Sequence, residues 1–428
     1  MTSILTANPK LNAPEIHKLD NGLTIIAEQM PVEAVNLNVW LNVGSTKESD
    51  EINGMAHFLE HMVFKGTPNL EIGEFERLIE ERGAVTNAAT SQDYTHYYIT
   101  TAPKDFAELA PLQLDVALNP SLENEAFERE KLVVLEEIRR SEDNPRRRTF
   151  YRSMETCFEQ LPYRRPVLGP ATVIENLRSQ QMRDFHGTWY QPKSMTAAVV
   201  GNLPVDELID IVTKGVEKHY TPNSLSQEET RSLTPEMPFT EIVRREYTDE
   251  SLQQARLIMM WRVPGMVELS ETYALDILAV ILGQGKVSRL FRDLREEREL
   301  VTRISVSNMT QTQQGVFYIS AQLPTENIPE VEKAIAEHLA RIQTEPIATK
   351  DIDRIRTQVA NRFVFANERP SDRANLYGYY YSQLQDLAPA LNYPQHIQAI
   401  EAVDLQNAAR KYLNPSAYGM VVMKPSEQ

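Results

Sequence analysis

Seven positions near the end of the first half of this chain return at a constant offset of 223 residues. Ile174, Leu177, Met182, Phe185, Trp189, Pro192 and Val199 correspond to Ile397, Ile400, Leu405, Ala408, Tyr412, Pro415 and Val422. In both places an amphipathic helix runs into an aromatic residue, a proline turn and a β-rich run, Ala197–Val200 in one and Met420–Met423 in the other. One shared ending is also what a common local pattern produces, but seven positions at one offset favour duplication. A chain of 428 residues exceeds the size at which a single core stops growing. The stretch from Thr221 to Thr230 and on through Pro235–Pro238 is polar and punctuated by proline, as a linker is. The expected organisation is a first domain over 1–220, a linker over 221–238 and a homologous second domain over 239–428.

The chemistry concentrates in His57-Phe58-Leu59-Glu60-His61, an H-x-x-E-H run inside a segment with helical spacing. Phe58, Leu59, Met62 and Val63 define one buried face of the ~3.6-residue period. Asn53 is the expected N-cap and Gly66 the expected stop. Two histidines four apart project from one helix face on successive turns, close enough to share a zinc ion. Glu60 then sits on the same flank, where a carboxylate can take a proton from water beside the metal. The alternative is a pair of surface histidines on an amphipathic helix. When Ala56–Val63 is laid on Ala274–Ile281, the metal positions become Leu275, Leu278 and Ala279. The second half keeps the helix and loses the ligands, so the first half carries the chemistry.

Strands are expected near Ile25–Glu28, Leu37–Val43, Tyr94–Thr101 and Ala197–Val200, and again near Ala255–Trp261, Thr302–Val306 and Val316–Gln322. They interleave with helices near Gly54–Phe64, Ile72–Glu81, Asp105–Leu118, Glu125–Ser141, Ile328–Ile342 and Lys350–Ala366. The expected class is α+β: two tandem domains, each a mostly antiparallel sheet covered by helices. Gly283-Gln-Gly-Lys286 lacks the glycine spacing of a phosphate loop and reads as a helix terminator. One cysteine, Cys157, excludes an internal disulfide and any cysteine-rich metal site. The net charge of −16 argues against nucleic acid as a partner. Arg146-Arg147-Arg148 and Arg164-Arg165 read as solvated loop charges rather than binding patches. No run is long and apolar enough to span a membrane, and Met1–Pro31 shows no secretory pattern, which leaves a cytoplasmic location as the default.

A catalytic zinc site wants three protein ligands, and the third must come from elsewhere in the chain. In the helical segment Phe127–Ile138, the residues Phe127, Val134, Leu135 and Ile138 mark the buried face, and Glu136 points away from it. Glu130 and Glu137 lie two turns apart on a bordering flank, where a ligand and a supporting carboxylate can both reach a neighbouring helix. The same pattern also suits an acidic helix with solvated carboxylates.

His57-Phe-Leu-Glu-His-Met-Val-Phe-Lys-Gly-Thr67, with a glutamate 76 positions beyond His61, resembles the pitrilysin and mitochondrial processing peptidase family of zinc peptidases. The length matches the family's two-domain subunits, which pair so that a dimer closes around a chamber like a clamshell. The resemblance implies one Zn²⁺ held by His57, His61 and Glu137, with Glu60 as general base and Glu130 as the second carboxylate of the catalytic group. It also implies that the strand around Asn87 and Ala88 is an edge on which a peptide substrate adds a strand. Active relatives present an arginine and, seven residues on, a tyrosine to the substrate. Here Arg295 fills the first position, and it also reads as a helix-end surface charge. Thr302 stands in the tyrosine's place, too short to deliver a phenolic hydroxyl across a cleft. Arg373 and Tyr380 share the spacing but fall in a different segment.

The resulting expectation is a zinc metalloendopeptidase subunit acting on extended peptides, short basic ones on the strength of net charge. Its partner would be a homologous subunit without H-x-x-E-H that supplies the arginine and tyrosine, with a homodimer as the other option. The alternative class, a non-catalytic assembly subunit, predicts decay at the metal positions, all of which are intact.

Overall fold

The computed structural model describes residues 13–220 and 233–426, so most of the expected linker lies outside the described residues. The first sheet is built from β1 (Glu15–Lys18), β2 (Thr24–Gln29), β3 (Val35–Leu41), β4 (Val85–Thr90), β5 (Thr95–Thr101) and β6 (Met195–Gly201). The second comprises β7 (Val243–Thr248), β8 (Ala255–Pro264), β9 (Arg303–Met309), β10 (Gln314–Leu323) and β11 (Gly419–Lys424). Their orders are β1-β2-β6-β3-β5-β4 and β7-β11-β8-β10-β9. Set β1 aside and the two wirings coincide strand for strand. Each contains a single parallel pair, β2 with β6 and β7 with β11, in an otherwise antiparallel ladder.

The repeat extends to helix ends. Ser179–Trp189 and Ala402–Tyr412 start and stop at the 223-residue offset, and in both a side chain three residues into the helix accepts the N-cap N–H, Gln181 from Arg178 at 2.9 Å and Asp404 from Glu401 at 2.8 Å. The helix Met55–Met62 corresponds likewise to Tyr273–Gly283, in which Leu275, Leu278 and Ala279 are sealed in the second core. That second helix ends at Gly283, and Gly285 turns the chain with a φ of +86°. The chain is therefore a two-domain α+β fold, each domain a mixed sheet with helices laid over it.

Each sheet has two faces to cover, and each half covers only one of its own. The helix Pro145–Cys157, from the first half, lies on β8 and β11 of the second. There Met154, Cys157 and Phe158 pack with Ile258, Met260, Val421 and Met423. In return Pro370–Leu384 lies on β3 and β6 of the first sheet, where Ala374 and Tyr377 meet Ile26, Ala198 and Val200. Gly378 is obligatory in that contact, because a Cβ would fall 2.1 Å from the Trp40 ring. At the centre of the same contact Glu28, 3% exposed, is paired with Arg373 and accepts a hydrogen bond from Tyr377 Oη at 2.7 Å. Arg373 therefore serves the joint between the halves.

The described end of the expected linker is fastened to the fold. Glu236 accepts the backbone N–H groups of Glu159, Gln160 and Leu161 and pairs with Arg262 at 2.9 Å. Polar composition there reflects specific hydrogen bonds as well as solvent exposure.

Arg373→Met removes the charge opposite a buried carboxylate. It is expected to cost about 3–5 kcal/mol, read as a fall in the urea midpoint. A shift equivalent to less than about 1 kcal/mol would show the joint to be peripheral.

Candidate metal centre

The helix Met55–Met62 is positioned from its first turn. Asn53 does not cap it: the N-cap is Gly54, at φ +100°, where a Cβ would lie 2.5 Å from the Leu168 carbonyl oxygen. The capping acceptor is instead Glu48, a wholly enclosed carboxylate. It takes the N–H of Gly54 at 2.8 Å, the N–H of Ala56 at 2.7 Å and the amide of Asn53 at 2.8 Å. Burial pushes the Glu48 carboxyl up, and the donors from Ala56, Asn53 and Gly54 oppose that rise. Phe58, Leu59, Met62 and Val63 are fully buried. Phe58 stacks on Phe127 with centroids 4.6 Å apart, which sets this helix against Asn124–Glu142. Gly66, at φ +96°, turns the chain away after the helix.

That packing brings His57, His61 and Glu137 together. Glu137 Oε2 lies 3.5 Å from Nε2 of each histidine, and the three ligand atoms all fall within 4.8 Å of one another. Burial, reinforced by the neighbouring His61, holds His57 down at about 4, a neutral imidazole with a lone pair to give. Burial also opposes charge on His61, but the carboxylates of Glu130 and Glu137 outweigh it and lift that ring to about 9. A bound cation takes the place of that proton, since metal binding and proton release are linked. Two imidazoles and one carboxylate, with no thiolate and too few oxygens for calcium, fit zinc. Among the described residues no other such group converges.

Glu130 acts through His61. Its Oε1 is 3.0 Å from His61 Nδ1, and its Oε2 is 2.9 Å from Lys65 Nζ. With a metal on Nε2, the remaining proton of His61 would sit on Nδ1, held by Glu130. Glu136 points outward and is held by Arg139 and Arg140.

Glu60 lines the same cleft as His57 and Glu137. Its Oε2 accepts a hydrogen bond of 2.5 Å from Thr90 Oγ1, the last residue of β4. Burial raises the Glu60 carboxyl above its usual range, against the Thr90 bond and the His61 charge. β4 is an edge strand of the first sheet, and its far side pairs with no other strand among the described residues, an edge of the kind that can accept an added strand. Asn87 and Ala88 lie on it, and Asn87 Oδ1 covers the Ala88 N–H at 2.9 Å.

The cleft holds about 730 Å³, and its opposite wall belongs to the second half. Arg256 and Ile258 of β8, Ser305 of β9, and Tyr318 and Ser320 of β10 line it, with Phe150 and Tyr151 of Pro145–Cys157. Sequence reasoning missed all of them, because nothing local in a strand announces which half its outer face will meet. Arg295 does not line the cleft. It is 45% exposed at the end of Phe291–Glu297, with its guanidinium 4.7 Å over the Phe291 ring. Thr302 gives its hydroxyl to Gln254 and to the Gln322 carbonyl.

Residues 23–171 match the family described as insulinase (peptidase family M16), and residues 176–359 match the peptidase M16 inactive domain. The chain belongs to the M16 family of peptidases. The M16 inactive-domain match falls on the half in which Leu275, Leu278 and Ala279 replace the ligands. An uncharacterized zinc protease of Rickettsia bellii is 27% identical over 95% of this chain and 97% of its own length. The zinc protease PqqE of Helicobacter pylori is 26% identical over 95% of this chain and 92% of its own. The crystal structure of a protease from Helicobacter pylori superposes with a TM-score of 0.90 at 26% identity, over 96% of this chain and 99% of that one. The periplasmic protease PqqL from Escherichia coli aligns at a TM-score of 0.81 and 19% identity, over 97% of this chain and 48% of PqqL, a likeness of fold. Among the described residues no helix is long and apolar enough to cross a membrane.

Removing the support of His61 should weaken the metal without removing a ligand. Glu130→Gln is expected to lower zinc affinity about 10–100-fold in chelator competition, with Glu136→Gln unchanged. Equal affinity in the two variants would show that Glu130 does not orient His61.

Proposed function

We propose that the chain is the metal-bearing subunit of a zinc endopeptidase that cleaves peptides bound in extended form. The supporting observation is the convergence of His57, His61 and Glu137, with His57, Glu137 and Glu60 on the wall of one cleft that Thr90 of the edge strand β4 also lines. One zinc ion held by those three residues would supply Lewis acidity toward water and the scissile carbonyl.

The rest falls to the chain itself. The free side of β4, around Asn87 and Ala88, offers backbone groups to a peptide strand, so the peptide is held by main-chain pairing rather than by one side chain. That strand leads along β4 toward Thr90 and hence toward Glu60. Glu60 takes the proton of the attacking water and later returns it to the departing amine, a role suited to a carboxyl raised by burial. Glu130 keeps His61 in the tautomer that donates Nε2 inward.

Thr302 motivates the second part of the proposal. Its hydroxyl is committed to Gln254 and Gln322, and Arg295 lies outside the cleft. The arginine–tyrosine pair of active relatives then comes from a homologous partner subunit facing this one across a chamber. A homodimer is the competing arrangement. A non-catalytic assembly role is the reading from another class, and the inactive-domain match is its support.

The test is cleavage of a quenched peptide by the zinc-loaded chain, with Glu60→Gln and chelator controls. Loss of the general base is expected to lower kcat about 10²–10⁴-fold. Activity of the isolated chain equal to any reconstituted pair would remove the partner requirement and leave the peptidase reading. A zinc content near zero after metal-replete purification would favour the assembly role.

A further inference from the structure

The run Arg146-Arg147-Arg148 begins the helix Pro145–Cys157, and its three members have different fates. Arg148 is committed: it pairs with Asp249 at 2.5 Å and also reaches Ser251. Arg164 and Arg165, the second basic spot in the sequence, are committed to Asp50. Arg146 and Arg147 line the metal cleft, as do Arg256 of β8 and the already committed Arg165. Among the described residues no carboxylate lies within ion-pair distance of the guanidinium groups of Arg146, Arg147 and Arg256. Arg256 Nε is buried with no hydrogen-bond partner. Asp249, the acid that acts on Arg256, is already held by Arg148. Burial, and after it the charges of Arg146 and Arg303, keep the Arg256 guanidinium below the usual arginine range. Glu137 feels Arg147, but it belongs to the metal centre.

A chain of net charge −16 thus turns unpaired positive charge toward the one cleft where its chemistry lies. Like charges gathered in a partly desolvated wall raise the free energy of the empty cleft, and an anion seated among them relieves it. Guanidinium forks bind a planar carboxylate in two parallel hydrogen bonds. With a peptide on β4, the groups facing that wall are the peptide's own side chains and terminus.

We propose that Arg146, Arg147 and Arg256 form a subsite for a carboxylate of the peptide substrate close to the scissile bond. The carboxylate is an Asp or Glu side chain or the peptide's C-terminus. The assignment rests on the peptidase reading and gives it a substrate class of acidic rather than basic peptides.

The experiment measures binding, so that it does not depend on turnover. Labelled peptides differing at one position as Asp, Asn or Lys, all with amidated C-termini, are titrated into the zinc-loaded Glu60→Gln chain by fluorescence anisotropy. A further Asn peptide carries a free C-terminus, which separates the two sources of carboxylate. The Asp peptide, the free-acid peptide or both should bind at least about tenfold tighter than the amidated Asn peptide, as one added bidentate charge pair allows. The Lys peptide should bind most weakly. Arg256→Gln should bring the ratio of acidic to neutral affinity close to one. The exposed pair Arg146→Gln with Arg147→Gln should do the same, and it controls for any disturbance of the fold at β8. Equal affinities, no binding by any peptide, or a preference that survives both sets of substitutions would overturn the subsite. Cleavage of the same peptides by the chain with Glu60 intact is followed in parallel. An acidic preference in binding with no cleavage either by the chain alone or by the chain reconstituted with a homologous partner subunit would overturn the peptidase reading and leave the subsite standing.

Discussion

A sheet with two apolar faces needs cover on both, and in this molecule neither half can provide it alone. Pro145–Cys157 crosses to the second sheet and Pro370–Leu384 crosses to the first, so each half completes the other. The metal cleft exists because of that exchange. Its candidate ligands come from Met55–Met62 and Asn124–Glu142, while its far wall comes from β8, β9 and β10. The buried joint of Glu28, Arg373 and Tyr377 fixes the alignment at the reciprocal contact.

Within the first half, two carboxylates that touch no ligand atom govern the geometry. Glu48 satisfies the first turn of the metal helix from a fully buried position, so the helix starts at one residue and in one direction. Glu130 fixes the imidazole of His61 from the other side. A helix capped by a remote carboxylate rather than by its own neighbour is tied to a loop that other residues hold in place. Arg165 does so here, donating to the carbonyls of Ser45 and Glu48.

Much of this arrangement is legible in the amino-acid sequence. The 223-residue repeat translates into coincident helix ends and coincident strand orders, because apolar spacing and caps survive duplication even when chemistry does not. H-x-x-E-H spacing places both histidines, since four residues on a helix leave little freedom. The third ligand stays open between a metal-binding and a solvated flank, because one helix cannot reveal which neighbour it will face. Exposed or polar strands such as β1, β4 and β7 give weak alternation, and the exchanged helix Pro145–Cys157 opens on a run of arginines that imitates a loop. Asn53 resembles a cap because its side chain can accept a hydrogen bond. It donates instead, to Glu48. Charge is the least legible property, since a sum over 428 residues carries no information about which few line a cavity.

Cys157 lies on the inner side of the exchanged helix, wholly buried, with its thiol pushed up to about 12. No thiolate is on offer to an oxidant, and no second cysteine exists to answer it. No disulfide holds the fold, which rests on burial, hydrogen bonds and ion pairs, so redox potential does not bear on its covalent framework. The same sequence can reach the same structure in a reducing or an oxidising compartment, and only its metal supply would differ between them.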